Sequence, residues 1–368
     1  MKAIISGGGT GGHIFPAIAI ANALKEQYSD CEILFIGAKG KMEMQKVPQA
    51  GYQIIGLPIA GFQRKKLWKN FSLPFKVLYS TIKARRIIKS YAPDVVIGVG
   101  GYASGPTLAA AVAKGVPTLI QEQNSYPGVT NKMLADKVNL ICVAYDKMDR
   151  WFDPKKIVFT GNPIRQVIAR LYENIDEKKE KALSTFGLSK DKKVVLVVGG
   201  SLGALTINES IYSNLDYFEK NNIQLIWQTG KWFYDKANEK VNQIQASNIK
   251  VFDFIYEMDL AYSLADVIIS RAGAIAISEL CIVGKPCILV PSPNVSEDHQ
   301  TKNANALVTK QAAVMVKDIE ARERLITALD EIISDSDLQK ELSDNIKGMG
   351  IRSADKRIVE EIAKIVKC

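Results

Sequence analysis

The residues of this chain with the clearest chemical meaning are glycines placed just before helices, with one histidine among them. Ser6-Gly7-Gly8-Gly9-Thr10-Gly11-Gly12-His13 follows the apolar run Ala3-Ile4-Ile5 and leads, through Pro16, into a helical stretch from Ala17 to Lys25. Such a loop lets backbone N–H groups approach an anion without Cβ interference, at a helix N-terminus that favours negative charge. The pattern recurs at Gly98-Val99-Gly100-Gly101-Tyr102-Ala103-Ser104-Gly105 and again at Gly199-Gly200-Ser201-Leu202-Gly203-Ala204, each time after a β-branched run. Three strand–glycine–helix corners point to more than one phosphate-bearing ligand. His13 is one of only two histidines. An unperturbed imidazole pKa near ~6.5 suits it to accept a proton at neutral pH. Its plainer role is to cap the following helix or to order the loop.

Other nucleotide motifs fit poorly. Gly7, Gly9 and Gly12 satisfy G-x-G-x-x-G, but a dinucleotide site also wants an acidic residue at the end of the second strand, and Glu32 lies at the wrong end of its run. Gly40-Lys41, Gly230-Lys231 and Gly284-Lys285 are followed by Met, Trp and Pro, which excludes a P-loop. The five cysteines (Cys31, Cys142, Cys281, Cys287, Cys368) are scattered, with no C-x-x-C. No zinc site is expected, and the chain reads as reduced and cytoplasmic.

The elements that must carry these loops are legible in the periodicity. Short β-branched runs alternate with amphipathic helical stretches, which predicts an α/β fold with parallel sheets. The runs fall at 2–6, 32–37, 52–57, 94–99, 117–121 and 139–144. After a charged helix at about 165–185 they resume at 194–198, 223–228, 250–255, 266–270 and 286–290. A chain of 368 residues, 47% apolar and 24% charged, is expected to form two domains, read as 1–163 and 164–349. Phe159-Thr160-Gly161-Asn162-Pro163 reads as the linker, because Asn-Pro disfavours helix. Ser353 to Val366 puts Ile358, Ile362 and Ile365 on one helical face behind a Ser N-cap, and this helix (about 350–368) is expected to pack back on the N-terminal domain. Met1 to Ser6 runs straight into a strand, unlike a signal peptide, and no apolar run reaches the ~20 residues of a spanning helix.

Charge is concentrated. Arg64, Lys65, Lys66, Lys69, Lys76, Lys83, Arg85, Arg86 and Lys89 lie between Gly61 and Ser90 with no Asp or Glu, and these nine equal the net charge of +9. Leu67, Trp68, Phe71, Phe75, Leu78 and Ile82 are interleaved with them. A basic amphipathic stretch with aromatics suits anionic lipid headgroups, with Lys65, Lys66, Trp68, Lys69 and Phe71 as its leading contacts. No nucleic-acid motif accompanies it, so no nucleic-acid partner is expected. The plainer alternative is a solvated helix with its other face in the core.

Seven ordered motifs carry a resemblance. They are Gly8-Gly9-Thr10-Gly11-Gly12-His13-Ile14-Phe15-Pro16-Ala17, Gly100-Gly101-Tyr102-Ala103-Ser104-Gly105-Pro106, Glu122-Gln123-Asn124 with Pro127-Gly128 and Thr130-Asn131-Lys132, and Gly161-Asn162-Pro163-Ile164-Arg165. The others are the third glycine loop, Arg271-Ala272-Gly273-Ala274 with Ser278-Glu279, and Asp298-His299-Gln300 with Asn303-Ala304. Together they resemble the MurG family, the UDP-N-acetylglucosamine transferases that complete lipid II in peptidoglycan synthesis. The resemblance implies a GT-B fold, two Rossmann-like domains facing across a cleft, with the donor in the C-terminal one and the acceptor and membrane surface on the N-terminal one. It implies inverting transfer from UDP-GlcNAc to the 4-hydroxyl of the MurNAc of lipid I. By the same resemblance no cofactor is required.

By the same resemblance the donor is held by Thr10, Gly11, Gly12, Asn124, Arg165, Ser201, Ile255, Ala274, Ile275, Ala276, Ile277, Ser278, Glu279, Gln300 and Asn303. Ile255 would meet uracil through its backbone, and Glu279 the ribose. Gly9, Gly100, Gly101, Tyr102 and Ser104 would hold the acceptor's pyrophosphate. His13 and Glu122 compete as the base, and an acceptor phosphate is a third route for the proton. The implied setting is peripheral, at the cytoplasmic face of the bacterial inner membrane, with lipid I and cell-wall synthesis proteins as partners. The chain departs from better-known members at Gln121, where they have His, and at Leu202, where they have Gln. The first weakens any obligatory proton transfer at that position, and the second removes one side-chain contact to the donor's phosphates. Two rivals stay open: a UDP-GlcNAc 2-epimerase of similar fold, which should lack the basic surface, and a non-catalytic nucleotide-binding scaffold, which would not need His13.

Overall fold

The computed structural model describes residues 1–59, 61, 71–200 and 202–366, so Lys65, Lys66, Trp68, Lys69 and Ser201 lie outside the described residues. The chain divides into two compact units, Met1–Arg165 with Ser353–Cys368, and Gln166–Arg352.

In the first unit the β-branched runs become seven parallel strands: β1 (Lys2–Ser6), β2 (Glu32–Ala38), β3 (Gln53–Leu57), β4 (Val95–Gly98), β5 (Thr118–Glu122), β6 (Leu140–Val143) and β7 (Ile157–Phe159). Their order is β3-β2-β1-β4-β5-β6-β7. Period-two alternation sends Ala3 and Ile5 to one face and Ile4 to the other. The first face packs the Gly11–Gln27 helix and the C-terminal Ala354–Ile365 helix, whose Ile358, Val359 and Ile362 are fully buried. Each such aliphatic side chain contributes roughly 1.5–3 kcal/mol, enough to fasten the chain's end to its beginning. Ser353 stands at the N-cap of that helix but makes no capping bond. The opposite face is covered by the Leu73–Tyr91 and Ser104–Val112 helices.

The second unit repeats the plan with β8 (Val194–Val198), β9 (Gln224–Gln228), β10 (Ile249–Phe252), β11 (Val267–Ser270), β12 (Cys287–Leu289) and β13 (Val314–Met315), ordered β10-β9-β8-β11-β12-β13. One face buries Val195, Val197, Leu225 and Trp227 against Ile207, Ile211, Phe218 and Phe233. In a doubly wound sheet, ligands gather where the strand order reverses, beyond the carboxyl ends of the strands. The reversals fall between β1 and β4 and between β8 and β11. All three glycine loops leave strands at those points.

Several local expectations change. The first helix begins at Gly11, so Pro16 lies inside it and His13 sits in its first turn. The charged segment after residue 165 is two helices, Gln166–Ala169 and Ile175–Phe186, separated by a stretch that ends at the left-handed Asn174 (φ 116°). Residues 160–163, read as the linker, form neither helix nor strand and are buried. Strand β7 immediately before them, and the two-residue β13, are too short to show periodicity.

Candidate functional site

In the first unit, the loops after β1 and β4 touch. A Cβ on Gly101 (φ 86°) would lie 2.3 Å from the Gly8 carbonyl oxygen, and one on Gly100 (φ 90°) 2.9 Å from His13 Nε2, so only glycine permits the contact. His13 Nδ1 lies 3.1 Å from the Gly8 carbonyl and 3.2 Å from Thr10 Oγ1. A carbonyl only accepts, so Nδ1 carries the proton of the neutral ring and Nε2 is its basic nitrogen. Gly11 and Gly12 open the helix with no side chain capping them. Gly9, expected at the acceptor pyrophosphate, instead donates its N–H inward to Glu43 Oε2 at 2.8 Å.

Glu122 ends β5 and is 1% exposed. Its Oε1 accepts from Asn124 N (3.0 Å) and Nδ2 (3.2 Å), and its Oε2 from Gly128 N (3.0 Å) and Asn131 Nδ2 (2.7 Å). All four lone-pair positions of the carboxylate have a donor. Beneath it, Gln121 donates to Asn162 Oδ1 at 2.9 Å and accepts from Gln123, while Asn162 donates to the Gln123 carbonyl at 3.0 Å. Gln121 is therefore the centre of a buried amide network. Tyr102 is half-exposed, its ring against the backbone of Gly61. Ser104 is fully buried, and its Oγ has no hydrogen-bond partner among the described residues. What Ser104 can offer an anion is its backbone N–H at the start of the 104–112 helix. Arg165, half-buried, closes the unit.

In the second unit, β11 runs through Arg271 into the Ala274–Val283 helix, whose N-cap, Gly273, makes no side-chain capping bond. Arg271 Nη1 fixes this turn by donating to the Val290 carbonyl (3.0 Å) and to Asp318 Oδ1 (2.5 Å). Ala274, Ile275 and Ala276 thus present first-turn N–H groups, Ile277 closes the first helical bond onto the Gly273 carbonyl, and Ser278 Oγ donates back to the Ala274 carbonyl. Glu279 is buried one turn further on. Gln228, at the end of β9, donates to the Gly200 carbonyl (3.1 Å) and accepts from Ile255 N (2.9 Å). Of the Ile255 backbone, then, the carbonyl is what remains for a base. Gln300 accepts from Ser292 N at 2.8 Å, and Asn303 is fully buried on the same His299–Val308 helix. Leu202 is 76% exposed, an apolar side chain where a phosphate-facing amide is usual in the resembled family.

Residues 3–143 match the N-terminal domain of glycosyltransferase family 28, and residues 194–358 its C-terminal domain. A Parabacteroides distasonis protein named UDP-N-acetylglucosamine–N-acetylmuramyl-(pentapeptide) pyrophosphoryl-undecaprenol N-acetylglucosamine transferase is 54% identical over 365 residues, covering 99% of this chain and 98% of its own. The chain belongs to this family of glycosyltransferases. The crystal structure of Acinetobacter baumannii MurG matches with a TM-score of 0.79 at 28% identity, over 99% of both chains. A UDP-GlcNAc 2-epimerase from Neisseria meningitidis matches at TM-score 0.69 over 99% of this chain and 100% of its own. At 15% identity that likeness shows the fold alone. The seven motifs had pointed to the right family, and the parallel α/β architecture read from strand–helix alternation is that of a family 28 enzyme.

Three residues that organise this family 28 site had escaped notice. Glu43, 1% exposed, looks in sequence like an ordinary helix glutamate. Gln228 left a signal, a polar residue ending an otherwise apolar strand. Asp318 had none, because its partner Arg271 is 47 residues away. Burial pushes the Cys142 and Cys281 thiols up to about 12, so neither is a thiolate at neutral pH.

Proposed function

We propose that this chain moves N-acetylglucosamine from UDP-GlcNAc, with inversion, to the 4-hydroxyl of the MurNAc of lipid I, releasing UDP and lipid II. The observation that carries it is near-full-length identity of 54% to a transferase of that name. The hydroxyl oxygen attacks C1 of the donor sugar, the C1–O bond to the diphosphate breaks, and the electron pair leaves with UDP. In the second unit, the uncapped N-terminus of the 274–283 helix and the amides of the third glycine loop, Ser201 among them, stabilise the charge that grows on the diphosphate. Glu279 takes the ribose, the Ile255 carbonyl the uracil, and Gln300 and Asn303 the sugar hydroxyls. In the first unit, the amides of Gly100, Gly101 and Ser104, with Tyr102, receive the acceptor's pyrophosphate. His13 Nε2 accepts the proton of the attacking hydroxyl, and Glu122, its lone pairs filled, holds the 123–131 loop. Calorimetry tests the donor half: Glu279→Ala is expected to weaken UDP binding by about 1.5–3 kcal/mol, roughly ten- to a hundred-fold. Unchanged UDP affinity in a folded variant removes Glu279 from the ribose.

The acceptor is lipid-linked, and the first unit has a surface suited to a membrane. Phe71 and Phe75 are 83% and 74% exposed, Leu78 and Tyr79 also face out, and Lys76, Lys83, Arg85, Arg86 and Lys89 share the Leu73–Tyr91 helix. A groove of about 780 Å³ beside that helix is lined by Leu34, Ile55, Tyr79 and Ile82 with Lys83 and Arg86, and by no carboxylate among the described residues. Among the described residues no helix is long and apolar enough to cross a membrane. Apolar side chains among cations suit peripheral binding to anionic lipid, at the cytoplasmic face of the inner membrane and beside other cell-wall enzymes. Binding to vesicles containing phosphatidylglycerol should fall with added salt, as the Debye length shrinks to ~8 Å at physiological ionic strength. Phe75→Ser with Lys76→Glu should weaken it further while sparing UDP affinity. Vesicle binding indifferent to both salt and substitution would contradict the assignment.

A further inference from the structure

We infer that Glu43 is a positioning residue for His13, acting through the single peptide group between Gly8 and Gly9. The inference rests on His13 being the base. Glu43 leads the short Glu43–Gln49 helix, yet its carboxylate is turned inward and is 1% exposed. Oε1 accepts from Ala38 N at the end of β2 (2.8 Å), and Oε2 accepts from Gly9 N (2.8 Å). Gly9 N–H and the Gly8 carbonyl are the two ends of one planar peptide unit. That same carbonyl lies 3.1 Å from His13 Nδ1. A continuous chain therefore runs from carboxylate to peptide N–H, and from peptide carbonyl to imidazole N–H.

Three physical consequences follow from that chain. Gly8 (φ 146°) and Gly9 (φ 88°) have no side chains to restrain the plane of the peptide between them, and a buried carboxylate anchored to β2 supplies the restraint. With the plane fixed, the carbonyl points at Nδ1, which holds the ring in the Nδ1–H tautomer and leaves Nε2 as the proton acceptor. The carboxylate also polarises the peptide, so its carbonyl oxygen is a stronger acceptor for the imidazolium formed when Nε2 takes a proton. The logic is that of a carboxylate orienting a catalytic histidine, with one peptide group interposed. Glu43 touches no substrate in this scheme.

Two measurements test it. In the first, kcat is read at saturating UDP-GlcNAc and lipid I analogue. Glu43→Gln is isosteric but presents an amide NH₂ where one of the two N–H donors needs an acceptor. It is expected to lower kcat about ten- to a hundred-fold with acceptor KM little changed, and to change kcat less than about two-fold in a His13→Ala background. Equal losses in both backgrounds, or a wild-type kcat for Glu43→Gln, overturn the inference. If His13→Ala alone keeps a kcat near wild type, the base assignment has failed first, and that is seen before Glu43 is altered. The second measurement keeps Glu43 intact and so does not depend on Glu43→Gln folding. The chain has two histidines, His13 and His299, so imidazole ¹⁵N shifts are assigned with one variant. Neutral His13 is expected as the Nδ1–H tautomer, and finding Nε2–H overturns the inference.

Discussion

Replacing His13 by alanine is expected to lower kcat by ~10²–10⁴ with little change in UDP affinity, because the uracil, ribose and diphosphate contacts at Ile255, Glu279 and the 274–283 helix are assigned to the other unit. The geometry makes the expectation specific. Nδ1 is bound to the Gly8 carbonyl, so Nε2 is the nitrogen that changes protonation state, and it stands at the backbone of Gly100, beside the amides assigned to the acceptor. A histidine that merely ordered the loop would show itself as a raised acceptor KM or a lowered unfolding temperature, with kcat recovered at saturation. If kcat at saturating acceptor stays within a few-fold of the parent, His13 is not the base.

Glu122→Ala is expected to act on stability rather than on chemistry. The substitution leaves Asn124 N, Asn124 Nδ2, Gly128 N and Asn131 Nδ2 without their acceptor in a region where the carboxylate was 1% exposed. At ~1–3 kcal/mol for each buried donor left unsatisfied, with part of the loss recovered by relaxation, a cost of ~3–5 kcal/mol is expected. For a unit of this size, at about 2–4 °C per kcal/mol, the unfolding midpoint should fall by roughly 6–20 °C. Glu122→Gln, which keeps one acceptor oxygen, should fall less. A large loss of kcat at an unchanged unfolding midpoint would return Glu122 to the proton-transfer step.

What the sequence made legible, and what it hid, follows from the range of the interactions. The glycine loops could be read because glycine is needed for local backbone reasons, and a strand before and a helix after complete the signal within a dozen residues. The parallel sheets could be read because buried strands are continuous apolar runs. Asn162 carries a local turn signal in its Asn-Pro pair, whereas its burial depends on Gln121 and Gln123, some forty residues earlier. Glu43 and Gln228 are likewise set in place by distant partners. Their partners, Gly9 and Ile255, lie 34 and 27 residues away, and the one local sign is that Gln228 is a polar residue ending an otherwise apolar strand. The buried polar groups that shape the site are invisible until the sheet brings their donors together.

Transfer to a lipid-linked acceptor is measured as UDP release from UDP-GlcNAc with and without a lipid I analogue, with the sugar product identified. UDP release is expected to depend on the acceptor, to be matched by formation of a β-linked GlcNAc–MurNAc disaccharide, and to fall in step with it in His13→Ala. UDP release at the same rate without acceptor, or conversion of the donor to its 2-epimer with no disaccharide, would contradict it.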